Sequence, residues 1–280
     1  MTELNMASSS METGPSVPFL AWVERTVKER AEGDTFGEWF DDKGDVVESR
    51  TFAGLWAEAG RIAHELRFSR GLEKGDRVVL CYGFGLSFFA AFLGCLRAGV
   101  VAVPIYPPSP TTLSKSLHKM QMTVDSCKPR LILLSSDVNA LRLASRLNVL
   151  SEARKLWPLV PYHCLASADV PSTGARGGLL FSAAKMVLGE NDPSTSTAVA
   201  TNTYDEQTLV AEDIAFLQFT SGSTADPKGV MITFGNLMHN VHLVLTGNTK
   251  TMEAFCKGRT EDLPQRFVGF SWLPQYHDLG

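Results

Sequence analysis

Val78 to Leu96 carries no charged side chain, and whatever this chain becomes must accommodate that run. As one continuous helix it would be long enough to span a bilayer. Tyr82, Gly83, Gly85 and Ser87 argue against that by interrupting it. The run divides at Gly83 into a buried strand, Val78 to Cys81, and a buried helix, Leu86 to Leu96. A second apolar strand over 100–103 follows at once. Strand, helix and strand over so short a stretch predict a β–α–β unit, hence parallel pairing and an α/β fold. Gly83-x-Gly85 also forms half of a dinucleotide-binding fingerprint, but Phe88 holds the place of the third glycine.

The rest of the first half suits such a fold. Val17 to Ala31 reads as a helix with Phe19, Leu20, Val23 and Val27 on one face. Phe36 to Phe40 and Val46 to Glu48 flank Asp41-Asp42-Lys43-Gly44, which predicts a hairpin. Thr51 reads as the N-cap of a helix whose apolar face carries Phe52, Leu55, Trp56, Ala59, Ile62, Ala63 and Leu66, with His64 on the solvated side. Val103-Pro104-Ile105-Tyr106-Pro107-Pro108 is expected to stop the second strand and force an extended turn. Beyond it a helix with Leu113, Leu117, Met120 and Val124 is broken by Pro129. Leu131 to Leu134 reads as a buried strand, and Asp137 as the cap of a basic helix reaching about Lys155. Arg142, Arg146, Arg154 and Lys155 are read as its solvated outer face. A short strand is expected at His163 to Ala166.

Composition then shifts. Ala168 to Gln207 is rich in Ser, Thr, Pro, Gly and Asn around one apolar island, and reads as a long surface insertion. Residues 1–16 read as a disordered polar tail without a secretory signal. A net charge of −4 gives no electrostatic reason to expect nucleic acid or an anionic membrane as partner. Five scattered cysteines, mostly inside apolar runs, indicate reduced buried thiols and a cytoplasmic protein rather than a disulfide framework or a metal site.

The chemistry concentrates at Phe219 to Met231, FTSGSTADPKGVM. Apolar runs lead in (Ile214 to Phe219) and out (Val230 to Ile232), so two strands are joined by a polar loop. Thr220, Ser221, Ser223 and Thr224 supply hydroxyls, Gly222 lets backbone approach a ligand, Pro227 stiffens the exit and Lys228 adds a positive charge. That is the composition of a polyphosphate cradle, although hydroxyls and glycine alone more often make a plain polar turn. The spacing is not that of the common P-loop, in which Gly-Lys-Ser/Thr opens a helix. Asn236 to Leu245 reads as a helix with Leu237, Val241, Val244 and Leu245 inward, and its His239 and His242 lack metal spacing. Thr246 to Pro264 reads as a loop. Phe267 to Leu273 reads as a buried strand that delivers Pro274-Gln275-Tyr276-His277-Asp278 to a strand end, where ligands gather in open α/β sheets.

TSGSTADPKG resembles the phosphate loop of adenylate-forming enzymes, with Ala225 where the usual pattern has Gly. GVVAVPIYPPSP from Gly99 and FSWLPQYHDLG from Phe270 resemble two further landmarks of the fatty acyl-AMP ligase branch, in the expected order. Phe234 stands where many members have His. The resemblance covers about residues 17–280 and only the first part of the family's catalytic unit. It implies a layered β–α–β architecture, that of a truncated adenylate-forming N-terminal domain.

The resemblance also implies an activity: a fatty acid and ATP give acyl-AMP and pyrophosphate. Thr220, Ser221, Gly222, Ser223, Thr224 and Lys228 would hold the β- and γ-phosphates, and His277 would sit near the carboxylate or acyl chain. Mg²⁺ is implied as well, with ligands largely beyond Gly280. An acyl carrier protein or CoA would take the acyl group. The rivals are a non-catalytic remnant or binding module, a fragment of an acyl-CoA synthetase or polyketide-synthase loading module, and a phosphotransferase with an unusual loop.

Overall fold

The computed structural model describes residues 18–147, 155–165, 209–220 and 227–255. The tail over 1–16, the insertion over 168–207 and the segment holding His277 lie outside them. The chain opens with helix α1 (Phe19–Lys28) and an antiparallel hairpin of β1 (Thr35–Phe40) and β2 (Val46–Thr51). Helix α2 (Phe52–His64) follows directly, and Thr51 caps it by accepting a hydrogen bond from Gly54 N at 3.0 Å. A π-turn, Glu65–Ser69, ends it. Then come β3 (Arg77–Cys81), α3 (Ser87–Ala98), β4 (Val101–Ile105), α4 (Leu113–Cys127), β5 (Leu131–Leu134), α5 (Ser136–Leu147) and β6 (Tyr162–Cys164). The last described elements are β7 (Ile214–Thr220), β8 (Lys228–Thr233) and α6 (Phe234–Phe255).

The predicted β–α–β unit is the centre of a six-stranded sheet in the order β6-β5-β3-β4-β7-β8. Strands β3 to β7 are parallel, and only β8 runs the other way, against β7. Parallel strands need covering on both faces, and alternation along β3 supplies it. Val78, Leu80 and Tyr82 join Leu55, Ile62, Ala91 and Cys95 of α2 and α3 on one face. Val79 and Cys81 join Leu117, Met120 and Val124 of α4 on the other. Where α2 crosses α3, a Cβ at Gly94 would lie 2.5 Å from Ile62 Cγ2, so glycine sets the approach of the two helices. Among the described residues no helix is long and apolar enough to cross a membrane. The Cys81 and Cys95 thiols are fully buried, which pushes both far above their ordinary range, and burial pushes the Cys127 thiol up to about 11.

Four expectations are corrected. Strand β4 runs through Pro104 to Ile105 instead of stopping at Val103. A proline has no N–H for a ladder, and the β4–β7 ladder pairs Ala102 with Phe216 and nothing beyond. Helix α5 begins at Ser136, so Asp137 lies inside its first turn rather than capping it. Arg142 is buried, not solvated: Asn139 Oδ1 accepts from its Nε and Nη2 at 3.1 and 3.0 Å, and its guanidinium lies 4.9 Å from the Tyr162 ring centre. Helix α6 continues to Phe255 through the expected loop, no proline interrupting it before Pro264. Its buried positions are Phe234 and Met238, four apart, while Val244 is exposed.

Tyr82 is 3% exposed, and its hydroxyl has no hydrogen-bond partner among the described residues. Burial also drives its ionisation well above the ordinary range. Removing an unsatisfied buried hydroxyl recovers its desolvation cost. Tyr82→Phe is therefore expected to raise the unfolding free energy by about 1 kcal/mol in urea titration; a clear loss would show that the hydroxyl is satisfied.

Candidate functional site

The connection leaving β3 leads to α3 on one face, and the connection leaving β4 leads to α4 on the other. Adjacent strands whose crossovers diverge open a crevice at their carboxyl ends, the usual ligand position in such sheets. On the β3 side this crevice is lined by the loop Tyr82 to Gly85. Glycines leading into a helix N-terminus are a common setting for a bound anion.

The protein fills that position itself. The first amide, Leu86 N, donates to Glu48 Oε2 at 3.0 Å. No side chain of the helix supplies a cap of its own. Gly85 adopts φ 142°, and a Cβ there would lie 3.1 Å from the same carboxylate oxygen. Arg50 Nη2 stands 3.2 Å from Glu48 Oε1, and Arg50 Nε stands 3.6 Å from Glu58 Oε2, which fixes the carboxylate. On the other side of the loop a Cβ at Gly83 would lie 2.5 Å from Asp137 Oδ2, while Gly83 N donates to Ser135 Oγ at 3.0 Å. Two carboxylates against one short loop repel phosphate. The half-fingerprint Gly83-x-Gly85 is thus an internally capped helix start. Nothing in the sequence marks Glu48 for this task, because it arrives from a hairpin that only the tertiary fold lays over Gly85.

The remaining anion-suited feature is the β7–β8 hairpin. Its strands pair antiparallel from Ile214–Thr233 up to Thr220–Lys228. A cross-strand pair at the carboxyl edge of the sheet closes the ladder, and the connection between the two strands, the crest, lies almost wholly outside the described residues. Thr220 and Lys228, two of the predicted site residues, are brought together as that closing pair, and both are exposed. Lys228 opens β8, one residue earlier than Gly229-Val230 suggested. Ser221, Gly222, Ser223, Thr224 and His277 lie outside the described residues. Gly229 has a steric role: it pairs with Phe219, and a Cβ on it would sit 3.0–3.3 Å from that ring.

The base of the hairpin is firmly held. Thr233 and Asn236 cap α6 reciprocally, each backbone N–H donating to the other's side-chain oxygen at 3.1 Å. Phe234 N donates to Asp213 O at 3.0 Å and Gly235 N to Ala211 O at 2.8 Å. Asp213 Oδ2 lies 2.6 Å from Lys74 Nζ and accepts from Val210 N at 2.8 Å. Desolvation pushes this carboxyl up, but Lys74 and the Val210 amide outweigh it and hold the group below its usual range. His239 and His242 ride on α6, and no group of three metal-ligating side chains occurs among the described residues.

Residues 25–280 match the AMP-binding enzyme family. A medium-chain-fatty-acid–acyl-carrier-protein ligase, JamA, of Moorena producens is 30% identical over 84% of this chain and 32% of its own. A long-chain-fatty-acid–AMP ligase, FadD32, of Mycolicibacterium smegmatis is 30% identical over 93% of this chain and 34% of its own. Among solved structures, a fatty acyl-adenylate ligase from L. pneumophila, in complex with acyl adenylate and pyrophosphate, has a TM-score of 0.54 at 29% identity, covering 82% of this chain and 32% of that one. A fatty acyl-adenylate ligase from work on the E. coli and L. pneumophila enzymes reaches a TM-score of 0.60 at 26% identity, over 95% of this chain and 39% of that one. The chain spans about a third of the length of the curated relatives it matches.

The Phe219–Gly229 contact gives a test of the hairpin. Gly229→Val must push the Phe219 ring aside and is expected to cost about 1–3 kcal/mol in chemical denaturation, as overpacking does. Val230→Thr, at an exposed edge position, should change stability by less than about 0.5 kcal/mol.

Proposed function

The chain belongs to the AMP-binding enzyme family, and on that premise we propose that the protein carrying it activates a fatty acid with ATP, releasing pyrophosphate and forming an acyl-adenylate. The carrying observation is the Thr220–Lys228 pair, which sets the two ends of TSGSTADPKG side by side at the carboxyl edge of the sheet. The substrate class rests on relatives named for fatty-acid ligation at 30% identity.

In the proposed reaction a carboxylate oxygen attacks the α-phosphorus. The bond to the bridging oxygen breaks, and pyrophosphate leaves with the electron pair. Such a displacement calls for positioning and charge neutralisation rather than a covalent nucleophile. The hydroxyls of Thr220, Ser221, Ser223 and Thr224 donate to β- and γ-phosphate oxygens, Gly222 allows backbone approach, and the Lys228 ammonium balances the charge that builds on the leaving group. His277 lies by the carboxylate and acyl chain. Mg²⁺ accompanies ATP in this reading, its protein ligands lying largely beyond Gly280. The acyl group then passes to a carrier-protein or CoA thiol. Residues 17–280 form the first part of the AMP-binding N-terminal domain, 168–207 a surface insertion and 1–16 a tail, in a cytoplasmic protein.

The test is fatty-acid-dependent exchange of labelled pyrophosphate into ATP by the protein that carries this chain. Exchange should require a fatty acid, and Lys228→Ala should lower it about 100-fold, as loss of a donor to developing charge does. ATP hydrolysis indifferent to fatty acid would favour a phosphotransferase instead. Full exchange by Lys228→Ala would remove the crest from the mechanism.

A further inference from the structure

A buried polar cluster lies at the opposite edge of the sheet from the hairpin. Strand β6 is three residues long and stands first in the order β6-β5-β3-β4-β7-β8. Its register pairs Ile132 with Tyr162, Leu133 with His163 and Leu134 with Cys164. So short a ladder is weak by itself, and side chains help to seat it. On one face the Tyr162 ring packs edge-on against Trp157, and its hydroxyl donates to Pro158 O at 2.9 Å. On the other face stands His163, which is buried.

The His163 ring is met by the turn after α2, which Glu65 begins and Arg70 ends. Arg70 Nη2 lies 2.7 Å from Nδ1 and 3.3 Å from Nε2. Glu65 Oε1 lies 3.5 Å from Nε2 and accepts from Arg70 Nε at 2.9 Å. A guanidinium has donors and no acceptor, so the ring nitrogen it bonds must accept. Neutral imidazole has one such nitrogen, and imidazolium has none. The Arg70 bond therefore exists only while His163 is neutral. Glu65 favours a charged ring, but Arg70 is nearer and already engages the same carboxylate oxygen. Strand β5 brings no titratable side chain, being Leu131-Ile132-Leu133-Leu134. A proton on His163 would set two cations against each other with one of them buried, a costly arrangement.

We propose that His163 is an acid-sensitive latch: protonation breaks its bond with Arg70 and lets β6 leave the edge of the sheet. The seated strand accepts the ring in its neutral form, whereas the ring of a released strand titrates near the ordinary histidine value of about 6.5. The hold on β6 is therefore complete above that pH and is lost as pH falls below it. The latch sits at the far edge from β8 and does not depend on the adenylation reading.

Amide hydrogen exchange on the protein that carries this chain, at pH 7.5 and 5.5 and corrected for intrinsic rates, reads the latch. Opening of the β5–β6 ladder, residues 132–134 and 162–164, should rise about 10-fold at pH 5.5, as one proton is taken up on release. Residues 77–81 of β3 should show no such rise. His163→Asn keeps an acceptor for Arg70 and takes no proton, so its ladder should open equally at both pH values. Arg70→Gln leaves the ring to Glu65, which favours imidazolium, and the rise should vanish. A parent rise below twofold overturns the proposal, as does a 10-fold rise that survives either substitution. If His163→Asn fails to fold, the parent and Arg70→Gln decide: a rise in the parent alone upholds the latch, and equal rises in both overturn it.

Discussion

Covering a parallel sheet on both faces is the constraint from which the rest of this structure follows. Val79 must pack toward α4 and Val78 toward α3, since neither face of β3 meets water. The two crossovers that follow β3 and β4 therefore take opposite sides, and the loops after these strands diverge at the carboxyl edge. The polar groups gathered there are positioned by apolar burial beneath them. The sheet is rigid where its strands are buried, and it ends in loops where they emerge.

Electrostatics then divides that edge into two regions. Over the β3 end, Glu48 and Asp137 hold the glycine loop, and Arg50 ties Glu48 to Glu58. An incoming polyphosphate would have to displace a carboxylate already seated on the Leu86 amide. Over the β7 end, the hairpin exposes Thr220 and Lys228, with its base anchored through Asp213, Thr233 and Ala211. Glu48 supplies the α3 helix terminus with its own anion, so that position is already filled.

Much of this is legible in the sequence where local chemistry and tertiary need agree. The interruption at Gly83 divides β3 from α3, Thr51 announces α2, and Asp41 to Gly44 announces the first hairpin. The apolar runs around residues 220–228 give β7 and β8. What escapes the sequence depends on partners far along the chain. Glu48 is an unremarkable hairpin residue until the fold lays it on Leu86. Arg142 reads as a solvated cation until Asn139 and the Tyr162 ring bury it. Pro104 reads as a strand stop, yet it is tolerated because the β7 side makes no demand on its missing N–H. Helix α6 outlasts its predicted end because poor helix formers without a proline do not suffice to break a well-capped helix. The phosphate-binding roles proposed for Ser221 to Thr224, and the role proposed for His277, rest on sequence pattern alone.

The central claim is that this fold directs a polyphosphate to the β7–β8 crest and away from the helix start at Leu86. Amide hydrogen exchange with and without ATP measures both places in one experiment. The account predicts that ATP slows exchange across residues 219–229 and leaves residues 83–88 unchanged. Slowed exchange at residues 83–88, with none at the crest, would contradict it.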